Sequence, residues 1–240
     1  MTYCLAIKID AGLVFVSDSR TNAGPDQVST YSKMRSWGAA GDRQIVMLSA
    51  GNLATTQAVV TRIQRDIDEQ VEGNLFSLRY MSEVAEYLGK LNVKQQTKHV
   101  DQGMTAGFNA EATFIVGGQI AGQPPNLYMV YPQGNYINVS DTSPFMQIGE
   151  AKYGKPILDR IIHHDTSIDD AVRCALVSMD STIRSNVTVG PPIEIVTYLT
   201  DSLVMGKYWK LEADDPYLLD LKSAWDEKLR QAFCELPRLE

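Results

Sequence analysis

Two rhythms of apolar and polar residues divide this chain. Tyr3–Ile9 and Leu13–Ser17 are apolar, β-branched-rich runs parted by Asp10-Ala11-Gly12, which reads as a hairpin. With those three residues as the loop, Ile9 faces Leu13 and Thr2 faces Arg20, with Asp18 diagonal to Thr2 on the same face. Thr21-Asn22-Ala23-Gly24-Pro25 reads as a polar turn, and Gln27–Trp37 as extended chain. Ile45–Gly51 is a buried-strand run. Beyond it Leu53, Val60, Ile63, Ile67 and Val71 recur at helical spacing.

The pattern then repeats in kind. Leu78, Met81, Val84, Ala85, Leu88 and Leu91 predict a second helix, and polar Lys94–Thr105 a loop. Ala112–Gly118, Asn126–Tyr131, Tyr136–Val139 and Phe145–Ile148 read as short strands. Ala151–Ile162 and Ser167–Ile183 are expected helices, the second capped by Ser167 with Asp170 three residues on. Glu194–Leu199 returns to strand. Asp215-Pro216 opens a last helix, expected over 215–236, with Leu218, Leu221, Trp225 and Leu229 on one side. The order is α+β, in one domain spanning 1–240 without repeats or linkers.

Composition narrows the function classes. A formal charge of -7 argues against a general nucleic-acid binder. Cys4, Cys174 and Cys234 are odd in number and far apart, so neither a disulfide framework nor a zinc site is indicated, and reduced cytoplasmic thiols are expected. His99, His163 and His164 lack metal-binding spacing. The start has no basic, apolar leader and no apolar run is long enough to span a bilayer, so secretion and membrane insertion are not expected.

Candidate chemistry gathers at the start. Loss of Met1 would put Thr2 at the head of a strand, with a hydroxyl nucleophile and an amine base on one residue. An ordinary first strand residue is the plainer reading of Thr2 alone. Asp18, delivered by the hairpin, would pin Lys33, and Lys33 would lower the hydroxyl's pKa and hold the amine neutral. Gly51 at the strand-to-helix junction offers an N–H for an oxyanion, or simply a tight turn.

Thr2, LVFVSDSRTNAG with Asp18, STYSKM with Lys33, and SAGNLATTQ with Gly51 resemble, in order and nearly in spacing, the proteasome β-type subunits of the N-terminal nucleophile hydrolases. TYCLAIKIDAGLVFVSDSRTNAG, QIGEAKYGKPILDR, SMDSTIRSNVTVGPP and the long C-terminal tail are similar to the bacterial branch called Anbu. The resemblance implies a four-layer αββα sandwich. It also implies a threonine-type hydrolase of peptide or protein substrates, without metal or organic cofactor, acting inside a large homo-oligomer, either a ring or a helical stack. Such chambers commonly work with an ATPase, but no residue here names one.

The chain departs from the family pattern at three places. Glu150, in Gly149-Glu150-Ala151, stands where a serine is usual. The auxiliary Asp and Ser pair aligns with Thr182 and Ser185, leaving Asp180 two residues too early and Ser185 as the carried-over catalytic candidate. Asn22 stands where a substrate-aligning Thr is usual. Two other functions stay open: an N-terminal nucleophile amidase or acyl or glutamyl transferase, and a non-enzymatic ring scaffold. Proteasome α-type subunits, the scaffold precedent, carry a helical extension before the first strand, and none precedes Tyr3 here.

Overall fold

The computed structural model describes residues 1–22, 28–101, 109–140 and 142–239. In chain order the elements are β1 (Tyr3–Ile9), β2 (Gly12–Asp18), β3 (Arg20–Asn22), β4 (Val28–Thr30), β5 (Met34–Ala39), β6 (Arg43–Gly51), α1 (Leu53–Asp68), α2 (Met81–Asp101), β7 (Ala112–Ile120), β8 (Asn126–Val130), β9 (Tyr136–Asn138), β10 (Phe145–Gly149), α3 (Ala151–Ile161), α4 (Ile168–Ser185), β11 (Ile193–Leu199), β12 (Tyr208–Leu211) and α5 (Pro216–Cys234).

Two five-stranded antiparallel sheets carry the fold. One runs β10-β1-β2-β11-β12 and the other β5-β6-β7-β8-β9, with β3 and β4 forming a separate small ribbon. Strand alternation gives each sheet two apolar faces, and each face has a core. Cys4, Ala6, Leu13 and Phe15 of the first sheet meet Val46, Leu48 and Ile115 of the second between the sheets. Tyr3, Leu5, Val14 and Val16 face Leu158 of α3 and Ala171, Ala175 and Met179 of α4. Ile45, Met47, Phe114 and Val116 face Val59 and Ile63 of α1 and Val84 and Leu88 of α2. These three cores define four layers, α3/α4, sheet, sheet and α1/α2, as the resemblance implied.

The first hairpin differs from its expected register. Its turn is only Asp10-Ala11, so Ile9 pairs with Gly12 and Cys4 with Ser17. Gly12 belongs to the strand, paired with Leu199 of β11, and a Cβ on it would lie 1.9 Å from the Tyr198 carbonyl oxygen. A one-residue slip exchanges faces. Thr2 is therefore not opposite Arg20, and Asp18 sits at the rung beside Tyr3.

Other boundaries moved as well. Lys94–Asp101 continues α2 rather than forming a loop, and the remainder of that expected loop lies outside the described residues. Within Gln27–Trp37 the chain forms two strands, β4 and β5, with Tyr31–Lys33 between them; Gln27 itself is not described. Arg20–Asn22 pairs with β4 instead of turning, and the rest of the expected turn, 23–25, is outside the described residues. Helix α1 stops at Asp68, short of Val71. Strand β12 was not foreseen. The Ser167 cap does accept the Asp170 N–H. Asp215 caps α5, which lies on the α4 layer through Leu218 and Leu221 and through an ion pair between Asp226 and Arg184. Among the described residues no helix is long and apolar enough to cross a membrane.

Candidate active site

The amino-terminal end of β1 is fixed from three directions. The Thr2 carbonyl accepts the Glu150 N–H at 2.8 Å. The Tyr3 N–H donates to Asp18 Oδ1 at 3.0 Å, so a carboxylate takes up the strand amide where regular β1–β2 pairing ends. The Tyr3 ring is fully buried; its hydroxyl shares a 2.6 Å hydrogen bond with Ser178 Oγ and accepts from Gln147 Nε2. Burial pushes that phenol up to about 12, so it stays a neutral anchor. Gly149, at φ +83°, permits this approach, since a Cβ there would stand 1.9 Å from the Thr2 carbonyl oxygen.

Asp18 is fully buried and gathers the site. Its Oδ1 also accepts Lys33 Nζ at 2.6 Å, and its Oδ2 accepts the Gly190 N–H at 3.2 Å. Lys33, 8% exposed, donates in addition to the Arg20 carbonyl at 2.7 Å. Burial is the larger influence on the Asp18 carboxyl and pushes it up, against Lys33 and the Tyr3 and Gly190 amides, which pull it down. The Lys33 carbonyl in turn accepts the Ser49 N–H at 3.0 Å, tying Lys33 to β6 and hence to the second sheet.

Gly51 closes β6 at φ +108°. The Ser49 N–H points to the β5 side and the Asn52 N–H donates to Glu111 beside β7, so alternation turns the Gly51 N–H toward β5. Regular β5 pairing has already ended at Met34 and Leu48. Thr2, Lys33, Ser49 and Gly51 all line one open cleft of about 950 Å³, walled by α1 through Thr56, Gln57 and Val60. The amino terminus sits in the same cleft. Its amine is lowered from the ordinary α-amine value, chiefly by burial and next by Lys33, while Asp18 and Glu150 oppose the shift.

Thus Thr2, Asp18, Lys33 and Gly51 come together, and Asp18 does so through the Tyr3 amide rather than through the expected diagonal. Ser185 ends α4, exposed, and does not line the cleft. Thr182 points inward and donates to the Ser178 carbonyl, and Asp180, nearly buried, is pushed up by that burial. Neither lines the cleft. The Asn22 side chain lies outside the described residues. Glu150 is buried rather than solvent-facing. Gly190 and the Arg20 carbonyl were not anticipated; the sequence signal for Gly190 is its place before Pro191-Pro192, a turn signature. Among the described residues no group of three or more His, Cys, Asp or Glu side chains is placed to hold a metal ion.

A family model for the proteasome subunit matches residues 2–198, beginning at Thr2. Among solved structures, Anbu (ancestral beta-subunit) from Yersinia bercovieri is 40% identical, with 99% of each chain covered and a TM-score of 0.93. The helical assembly of the Anbu complex from Pseudomonas aeruginosa is also 40% identical, covering 99% of this chain and 98% of that one at a TM-score of 0.94. Anbu from Hyphomicrobium sp. strain MC1 is 40% identical over 99% of each chain, at a TM-score of 0.90. No curated protein matches. With a family match over most of its length and full-length likeness to Anbu structures, the chain belongs to the proteasome subunit family.

Proposed function

We propose that this protein is a threonine-type peptidase whose nucleophile is Thr2 after loss of Met1. The observation that carries the reading is the join between Asp18, Lys33 and the amide that follows Thr2, at the edge of a cleft also lined by Gly51. In the acylation step Thr2 Oγ attacks the scissile carbonyl carbon while its proton passes to the neutral α-amine, directly or through water. Lys33, charged and close, stabilises the developing alkoxide and disfavours a second positive charge on the amine. The Gly51 N–H donates to the oxyanion. Collapse expels the amine half of the substrate, protonated by the α-ammonium, and leaves an ester on Thr2. Water then attacks that ester and regenerates the hydroxyl.

Asp18 does no proton transfer in this scheme. It holds Lys33 and β1 in register, so that charge and nucleophile keep a fixed relation. Self-association follows the same reasoning: one similar structure is a helical assembly, which supports a homo-oligomer here too. Treatment with a peptide epoxyketone or β-lactone, followed by peptide mapping, tests the reading. An adduct confined to Thr2 is expected. Modification at another residue, or none in a preparation freed of Met1, overturns it.

A further inference from the structure

Glu150 stands next to the nucleophile and is not used by the mechanism above. Its side chain is 10% exposed. It occupies the cap position of α3, yet its carboxylate makes no capping hydrogen bond. Among the described residues its one cationic partner is Lys152 at 3.9 Å, itself 70% exposed and therefore largely hydrated. The carboxylate has no closer ion pair than this among the described residues, so it is available to a nearby donor. Its own backbone N–H is bonded to the Thr2 carbonyl, which ties its backbone to the residue that bears the nucleophile.

Removal of Met1 creates such a donor, because the Thr2 nitrogen changes from an amide to an amine that can carry three N–H bonds. We infer that Glu150 is a second carboxylate of the Thr2 site, a positioning residue that receives the Thr2 α-ammonium and holds it beside Oγ. This rests on the proposed function. The charged groups that act on the terminal amine present in this cleft, that of Met1, are Lys33, Asp18 and Glu150, and Lys152 pairs with Glu150. Asp18 is already committed to Lys33 and to the amides of Tyr3 and Gly190. Glu150 is therefore the carboxylate free to join Asp18 in balancing the repulsion from Lys33. Consistent with this arrangement, Asp18 first and Glu150 next raise the Met1 amine that burial and Lys33 lower.

The sign follows from charge. A carboxylate beside an ammonium favours the protonated form, so Glu150→Gln lowers the amine's titration midpoint. The experiment is pH-dependent competitive acylation of the Thr2 α-amine with isotopically labelled acetic anhydride, on full-length protein shown by intact mass to lack Met1. The expected result is a midpoint lower by about one pH unit in Glu150→Gln, with Glu150→Asp restoring much of the difference and Asp159→Asn, an exposed acid on the same helix, leaving it unchanged. A Glu150→Gln midpoint equal to or above that of the unsubstituted protein overturns the inference, even if the variant melts earlier, since a carboxylate serving only the α3 dipole would change stability alone. Labelling reads the amine whether or not turnover occurs. Absence of peptidase activity would thus reject the proposed function, whereas an unmoved midpoint would reject only this role for Glu150.

Discussion

The Lys33 ammonium lies 2.6 Å from Asp18 Oδ1, and neither side chain is more than 8% exposed. Removing one member of a buried pair leaves the other charge without compensation, a loss of about 3–5 kcal/mol. Asp18→Ala also abandons the Tyr3 and Gly190 N–H groups, so urea denaturation should show a loss in that range. Lys33→Met removes the buried cation while retaining a flexible apolar stem. It should abolish turnover in protein that still elutes at the parent's oligomeric size; normal rates would make Lys33 a structural charge only.

Gly51 supplies a second prediction. At φ +108° an L-residue is strained, and a Cβ here would lie 2.4 Å from the Glu111 carbonyl oxygen. The Gly51→Ala backbone must therefore move, at a stability cost of about 1–3 kcal/mol. An oxyanion donor displaced from its place typically lowers kcat by about 100-fold or more. The diagnostic pattern is a fall in kcat with KM little changed. If KM alone rises, Gly51 shapes the cleft and does not serve the transition state.

The third prediction concerns pH. Burial and Lys33 both lower the terminal amine, and the base must be neutral to accept the Thr2 Oγ proton. The rate should therefore rise with pH and level off through an apparent pKa below that of a free α-amine. A profile that falls through this region contradicts the amine as base. Raising ionic strength should move the midpoint little, because burial is the larger cause of the shift and Lys33 and Asp18 are themselves buried.

Much of this architecture was legible from periodicity, and the misreadings have physical causes. The β1–β2 hairpin was visible in its apolar runs, but its register depended on Gly12, whose lack of a side chain serves β11, far along the chain, and not the turn. Asp18 nonetheless reaches the candidate site, since a carboxylate at the end of β2 meets the start of β1 in either register. The continuation of α2 through Lys94–Asp101 was hidden by its polar composition, which an exposed helix shares with a loop. Ser185 was carried over by alignment alone. The break after Ser185, at Asn186, sends the chain to Gly190, whose amide meets Asp18, so the main chain of this segment reaches the site and the Ser185 side chain does not line the cleft.

The last prediction is about the bond between Met1 and Thr2. While it is intact the Thr2 nitrogen is a planar amide, its lone pair delocalised and useless as a base, although Thr2 already lines the cleft. The structure with Met1 present has a terminal amine in the same cleft, one residue displaced from the position that a Thr2 amine would occupy. Activity should therefore scale with the fraction of chains beginning at Thr2, measured by intact-mass spectrometry on the fractions being assayed. Thr2→Ala, at a half-buried strand end, should cost well under about 1–2 kcal/mol of stability yet remove turnover. Serine at this position retains hydroxyl and amine and should keep measurable activity once Met1 is gone. Full activity in a preparation wholly retaining Met1 would mean that another group takes the proton, and it would exclude the amine-base mechanism while leaving Asp18, Lys33 and Gly51 to be explained by a different nucleophile.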